Sequence, residues 1–435
     1  MIFAARQALP LAIWLALVAS ATAASEQVIH DFGFNGGSNV EENGAPAINA
    51  KGRIFGTALH GRAGGGGAGI VFMAAPPAAG QTAWKYKILY HFTGGMSGSQ
   101  DGYSPFNGVT LGDNGVLYGA TYFGGNGTAQ GCGVVYQLSP PQKGQKGWVE
   151  TILYRFQTTD QTDGCAPYNG NLVLDSGGAL YGTTSAGGGS ANAGTVFRLN
   201  PPGGGSTSWT ETILYRFAGG QDGSSPAGHL VLSNGVLYGT SPSGGTYGKG
   251  YVWNYSIASG QRTVLYNFMG GTDGAVPQTG VVGPFPDSIH LRYNLVGVTA
   301  EGGNGAGCIN GCGTAFQLSV SETGGPNNLF ILHAFTGGAD GSVPIGSLGL
   351  VGGSTIWGTT DIGGPGACTN GCGTLFRLNM SRLTWVYSQA YSFAGPTSDG
   401  EAPMSGVAGD TAGNVFGMTS LGGTVNYGTI FEYSP

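Results

Sequence analysis

His60, Tyr122, Glu301 and Asp361 are chemically capable residues standing in loops whose surroundings repeat while they do not. Each lies one or two places after a copy of the phrase LYGTT, and the pair in those places changes from copy to copy. The pairs read Leu59-His60, Tyr122-Phe123, Ser185-Ala186, Pro242-Ser243, Ala300-Glu301, Asp361-Ile362 and Ser420-Leu421. Arg62 follows His60 closely, and Glu41 and Glu42 precede the same part of the chain. His60 or Tyr122 as base, with Arg62 neutralising a uronate, would suit proton abstraction from an acidic polysaccharide, the chemistry of a lyase. Glu301 and Asp361 would suit glycoside hydrolysis at the right separation. Glu41, Glu42, Glu301, Asp361 and Phe123 could equally bind a sugar without cleaving it. All of them also fit ordinary solvated loops. His91, His229 and His333 fall at or beside strands and are expected to be packed or satisfied there. The insertion GPFPDSIHLRYN (283–294) in the fifth repeat, with Asp287, His290, Arg292 and Tyr293, is expected to form a hairpin on the opposite face, read as a partner surface.

The six cysteines are the second set. Cys308 and Cys312 (CINGC) and Cys368 and Cys372 (CTNGC) occupy the same loop in successive repeats, and each pair is expected to close on itself. Cys132 has that loop position without a local mate, and Cys165 lies in the next crossing, so a bridge between them is expected. A four-cysteine zinc site is the alternative, but it needs four sulfurs within ~2.3 Å of one metal. Six aspartates before glycine, Asp101 through Asp399, form a third set. A calcium ring is conceivable there, yet Asp-Gly is first a turn signal, and no metal or cofactor is expected.

These residues must be positioned by whatever repeats around them. LYGTT (180–184) recurs as IFGTA (54–58), LYGAT (117–121), LYGTS (237–241), LVGVT (295–299), IWGTT (356–360) and VFGMT (415–419). GTVF (194–197) also occurs seven times, as does ILYRF (152–156) in variant forms. An Asp-Gly turn leading to proline completes the unit, as in DGSSP (222–226), with ENGAP (42–46) read as its first copy. The unit spans about 60 residues and carries four short strands, the size of a propeller blade, with the inner strand expected after the proline, as at GNLVLD (170–175). Seven copies predict an all-β, seven-bladed propeller with four antiparallel strands per blade. The chain opens on an outer-strand phrase, VIHDF (28–32), and ends on a third-strand phrase, GTIFEY (428–433). The N-terminal strand should therefore complete the last blade and close the ring, which removes exposed sheet edges.

Repeated LYGTTxxGG, GTVFxL and DGxxP phrases behind an apolar leader resemble the GloVer-type tandem-repeat proteins, an exported bacterial class with varied anchoring tails. The resemblance covers the chain after its leader and implies a secreted propeller. It implies no particular activity, because that class is defined by its repeat. A C-terminal sorting tail, present in some of its members, is not expected here.

Composition agrees with this reading. Glycine supplies 87 of 435 residues without a collagen period, and 40% of residues are hydrophobic, enough to offset the entropy of ordering the chain. Only 9% are charged and the net charge is −6, so nucleic acid and anionic membranes are not expected partners. Residues 1–23 read as a signal peptide: Arg6, the apolar run Leu9–Ser20, then Ala21-Thr22-Ala23. Residues 24–435 are expected to form one monomeric propeller domain, secreted or periplasmic, without a membrane span. Its expected function is to bind or scaffold a glycan or envelope component at the channel mouth. A carbohydrate-active enzyme, foremost a polysaccharide lyase, and a structural or adhesive envelope protein are the alternatives.

Overall fold

The computed structural model describes residues 24–33, 44–61, 67–94, 100–126, 131–157, 162–168, 170–205, 208–287, 291–305, 307–381 and 384–435. Residues 1–23, the expected signal peptide, lie outside them. Seven antiparallel sheets of four strands follow one another along the chain, the third with one additional short strand, and the described residues carry no α-helix. Blade 3 shows the pattern: inner strand Val173–Leu174, second strand Leu180–Gly187, third strand Thr195–Asn200, outer strand Thr210–Arg216. In blade 7 the outer strand is Ser25–Asp31, which pairs antiparallel with Thr429–Ser434 and closes the ring as expected.

The repeated phrases have direct physical causes. The glycine of LYGTT lies opposite the aromatic residue of GTVF, whose ring covers it. A Cβ on Gly182 would stand 2.6 Å from Phe197 Cζ, and one on Gly239 2.5 Å from Trp253 Cζ2. The last threonine of LYGTT bonds the threonine of GTVF across the strands. Thr184–Thr195, Thr299–Thr314, Thr360–Thr374 and Thr419–Thr429 hydroxyls are all 2.9 Å apart. The glycine opening GTVF holds a left-handed backbone and receives the next blade's proline. At Gly194 φ is +94° and a Cβ would lie 2.8 Å from Pro226 Cδ.

Blade-to-blade packing repeats as faithfully. The phenylalanine ending each outer strand meets the third-strand aromatic of the next blade edge-on: Phe32–Phe72, Phe92–Tyr136, Phe156–Phe197, Phe217–Trp253, Phe268–Phe316, Phe335–Phe376 and Phe393–Phe431, with centroids 5.1–6.2 Å apart. Such pairs contribute ~0.5–1.5 kcal/mol each beyond the area they bury. The core is thus seven aromatic-rich layers between blades, not one central cluster.

Two expectations need correction. The inner strand, expected over 170–175 in blade 3, is reduced to two residues because its first half bonds to neighbouring blades at the axis. Asn171 Nδ2 donates to Ala45 O and Val109 O, and Asn107 Nδ2 to Pro167 O. ENGAP is not the first copy of the Asp-Gly-Pro turn. Pro46 directly precedes Ala47, which pairs with Phe55, whereas Pro105 stands well upstream of the equivalent Thr110, which pairs with Tyr118. Pro46 therefore occupies the place of Val109, and the true counterpart of the turn falls outside the described residues.

Candidate functional site

The face expected to carry the channel mouth is built from two loop types, the crossing between blades and the connection from second to third strand, which pair with each other in blades 2, 3 and 7. The crossing is held by its aspartate. Asp101 accepts bonds from Thr93 N (2.8 Å), Thr93 Oγ1 (2.7 Å) and Tyr90 Oη (3.3 Å). Asp273 accepts from Tyr266 Oη (3.0 Å) and Met269 N (2.9 Å). Asp163 and Asp399 make the same two kinds of bond. These carboxylates are engaged in tying the crossing back to the outer strand, a structural role broader than the local turn bond expected. Among the described residues no three His, Cys, Asp or Glu side chains gather as a metal site.

All three expected disulfides are present. Cys132–Cys165 joins blades 2 and 3, with Cα atoms 4.5 Å apart, while Cys308–Cys312 and Cys368–Cys372 clip their own loops. A zinc site at these loops is excluded by that pairing.

Of the predicted site residues, Tyr122 and Phe123 come together with two others that sequence reasoning missed. The Tyr122 ring makes edge-on contacts with Phe123 (4.4 Å between centroids), Phe106 (5.2 Å) and Tyr168 (5.5 Å), and Phe106 meets Tyr168 at 5.4 Å. Phe123 is 37% exposed and pairs with Tyr103 in a two-residue ribbon. Phe106 and Tyr168 each follow the repeated proline, a place held elsewhere by Ala227, Gln278, Ile345 and Met404. That local departure from the repeat was the signal available in the sequence.

The charged candidates are dispersed. Half-buried His60 takes the position in blade 1 that Phe123 takes in blade 2. Glu301 bridges to Ala275 through its backbone and accepts a bond from Asn310 Nδ2 (3.2 Å), which turns it toward the CINGC loop. Asp361 is fixed by its backbone amide, which donates to Val343 O (3.1 Å). Glu41, Glu42, Arg62 and His290 lie outside the described residues. In the inserted hairpin of blade 5, Asp287 accepts from Leu291 N, and Arg292 donates to Ser319 and Pro326, so both serve the turn. His333 is satisfied by Asp340 (2.9 Å), as expected. His91, expected to be packed or satisfied at its strand, is exposed at the strand's end. His229 lines the axial end of blade 4, where burial pushes its imidazole below the usual range.

A groove of about 340 Å³ runs between the two CxNGC loops on the mouth face, lined chiefly by glycine backbone. Two clefts of about 510 and 620 Å³ open on the opposite face and share a wall at Asp175 and Ser176.

Fold and repeat together define a seven-bladed propeller of the tandem-repeat class. The chain belongs to the Gloeobacter/Verrucomicrobia repeat family, whose model matches residues 41–307. No curated protein sequence matches it. Among solved structures, a chain of the mitotic checkpoint complex is similar at TM-score 0.51 and 10% identity, covering 100% of this chain and 98% of that one. A luciferin-regenerating enzyme (TM-score 0.41, 8% identity, 95% of each chain) and a chain of a nidogen/laminin complex (0.40, 12%, 75% of this chain and 89% of that one) are similar as well. At such identities the likeness is one of fold alone.

Proposed function

We propose that this protein is a secreted binding module that holds a glycan at the mouth of its channel, on the aromatic surface of blades 2 and 3. The observation carrying this reading is the group Phe106, Tyr122, Phe123 and Tyr168. The fold does not call for aromatic rings there, since other blades build the same loops with residues as varied as alanine, serine, glutamine, leucine, isoleucine and methionine. Four aromatic rings, two of them with hydroxyl tips, at a half-wet surface suit a ligand that has both apolar faces and hydroxyls. The scarcity of charge supports a neutral polysaccharide or an uncharged stretch of an envelope polymer. Three disulfides fit an oxidising compartment.

The test is co-sedimentation of residues 24–435 with neutral and uronate-containing polysaccharides, with ultraviolet absorbance of unsaturated uronate followed in parallel. Binding that is lost in the Phe106→Ala/Tyr122→Ala double variant supports the reading. Binding that survives it moves the site to the clefts beside Asp175, and rising absorbance makes the protein a lyase.

A further inference from the structure

At six blade junctions a side chain near the end of one outer strand faces a side chain on the outer strand of the next blade. Three junctions pair tyrosine with glutamate: Tyr90 with Glu150, Tyr154 with Glu211, and Tyr391 with Glu26. In each, the tyrosine also meets the crossing aspartate. Tyr90 Oη lies 2.9 Å from Glu150 and 3.3 Å from Asp101, and Tyr154 Oη lies 3.1 Å from both Glu211 and Asp163. Tyr391 Oη is 2.9 Å from Asp399 and bonds Glu26 on its other side.

One hydroxyl has one hydrogen and cannot donate to two carboxylates at once. The aspartates are supplied as anions by other donors: Thr93 N and Oγ1 for Asp101, Gln157 N and Gly164 N for Asp163, Ala394 N and Gly400 N for Asp399. The glutamates are not. Oε1 of Glu26, Glu150 and Glu211 is buried in each case without a hydrogen-bond partner, an arrangement costly for an anion and acceptable for a neutral carboxyl. We propose that each of these three glutamates keeps a proton in the folded protein and donates it to the tyrosine, so that the ring binds protons on closing and loosens as they leave.

The groups facing each glutamate support this. Asp101, Tyr90 and Tyr136 surround Glu150 with Arg155 at its side; Asp163 and Tyr154 face Glu211 with Arg216 beyond; Asp399 and Tyr391 face Glu26. Burial, and then the neighbouring aspartate, hold Glu26 and Glu211 up at about 8; burial holds Glu150 at about 7. Blades 3 and 4 supply the contrast. Arg262 stands in the glutamate's place, lies 4.5 Å from the Tyr215 ring centroid and bonds Asp222 directly, with no proton to share.

The sign follows from folded values above the unfolded one. The stabilisation is complete below the ordinary carboxyl range and is lost as pH rises through about 7 to 8. Between the ordinary carboxyl range and those folded values each retained proton changes the folding constant tenfold per pH unit. Glu26 sits on the strand that closes the ring, so the closing strand should loosen with the rest.

Thermal unfolding of residues 24–435 from about pH 5.5 to about pH 9 tests the proposal. The melting temperature should fall from the acid end of that range to about pH 8 and level off above it. Glu26→Gln/Glu150→Gln/Glu211→Gln, whose amides imitate the neutral carboxyl, should flatten the fall. A flat wild-type profile, or a variant with an unchanged slope, would overturn it. Should the triple variant fail to fold, the wild-type protein still decides: its infrared spectrum must contain a protonated-carboxyl band that shifts with labelled glutamate and titrates above neutral pH. Absence of that band refutes the proposal.

Discussion

Gly182 lies beneath the ring of Phe197, so close that a methyl group on it would stand 2.6 Å from Cζ. Replacing this glycine by alanine should cost ~1–3 kcal/mol, the usual range for overpacking a filled site. Gly203, with open space around it, should accept alanine almost without change. Urea denaturation of the two variants checks the contrast.

The bridges should differ in worth. Cys132–Cys165 closes a separation of 33 residues, while Cys308–Cys312 closes one of 4. On loop entropy alone their removal should cost about 3.7 and about 2 kcal/mol respectively. Paired Cys→Ser variants, unfolded under non-reducing conditions, measure the order.

Phe32→Ala should be among the most damaging single substitutions, at ~3–5 kcal/mol. Phe32 is 1% exposed, packs edge-on against Phe72 and follows the closing strand. Protease sensitivity near residue 32 should rise with the loss of stability.

Acid should also loosen the same seam, by a different group. His30 stacks on Tyr86 at 3.7 Å, and burial holds its imidazole down at about 4, against a small opposing pull from Asp31. A folded value below the unfolded one means stability present above the usual histidine range and lost as pH falls toward 4. His30→Phe keeps the stacked ring and should remove this acid-side loss, as thermal melts below about pH 6 would show.

The sequence displayed its architecture because the architecture is made of repeated contacts. The glycine of LYGTT lies against the aromatic of GTVF, and the phenylalanine of ILYRF meets that aromatic in the next blade, so their periodic recurrence carries the fold. The cysteine bridges were legible through loop equivalence. Other features depend on neighbours in space. Glu150, Glu211 and Glu26 each sit in a strand phrase that looks unremarkable until the preceding blade's tyrosine is placed against it. ENGAP imitated a turn by composition, and only pairing register placed Pro46 directly before the inner strand. Phe106 and Tyr168 were concealed by the proline before them, which belongs to the repeat while they do not.

Ring closure also sets an order of assembly. Six blades are contiguous in the chain and can pack one after another as they emerge. The seventh is made of two pieces, joined by contacts such as Gln27 Nε2 to Glu432 Oε2 across 405 residues. The first strand to be made must therefore wait, unpaired, for the last one. Until it docks, Thr429–Ser434 presents an open edge able to accept the same strand from another chain. At high concentration, refolding should accordingly compete with exchange of the N-terminal strand between molecules.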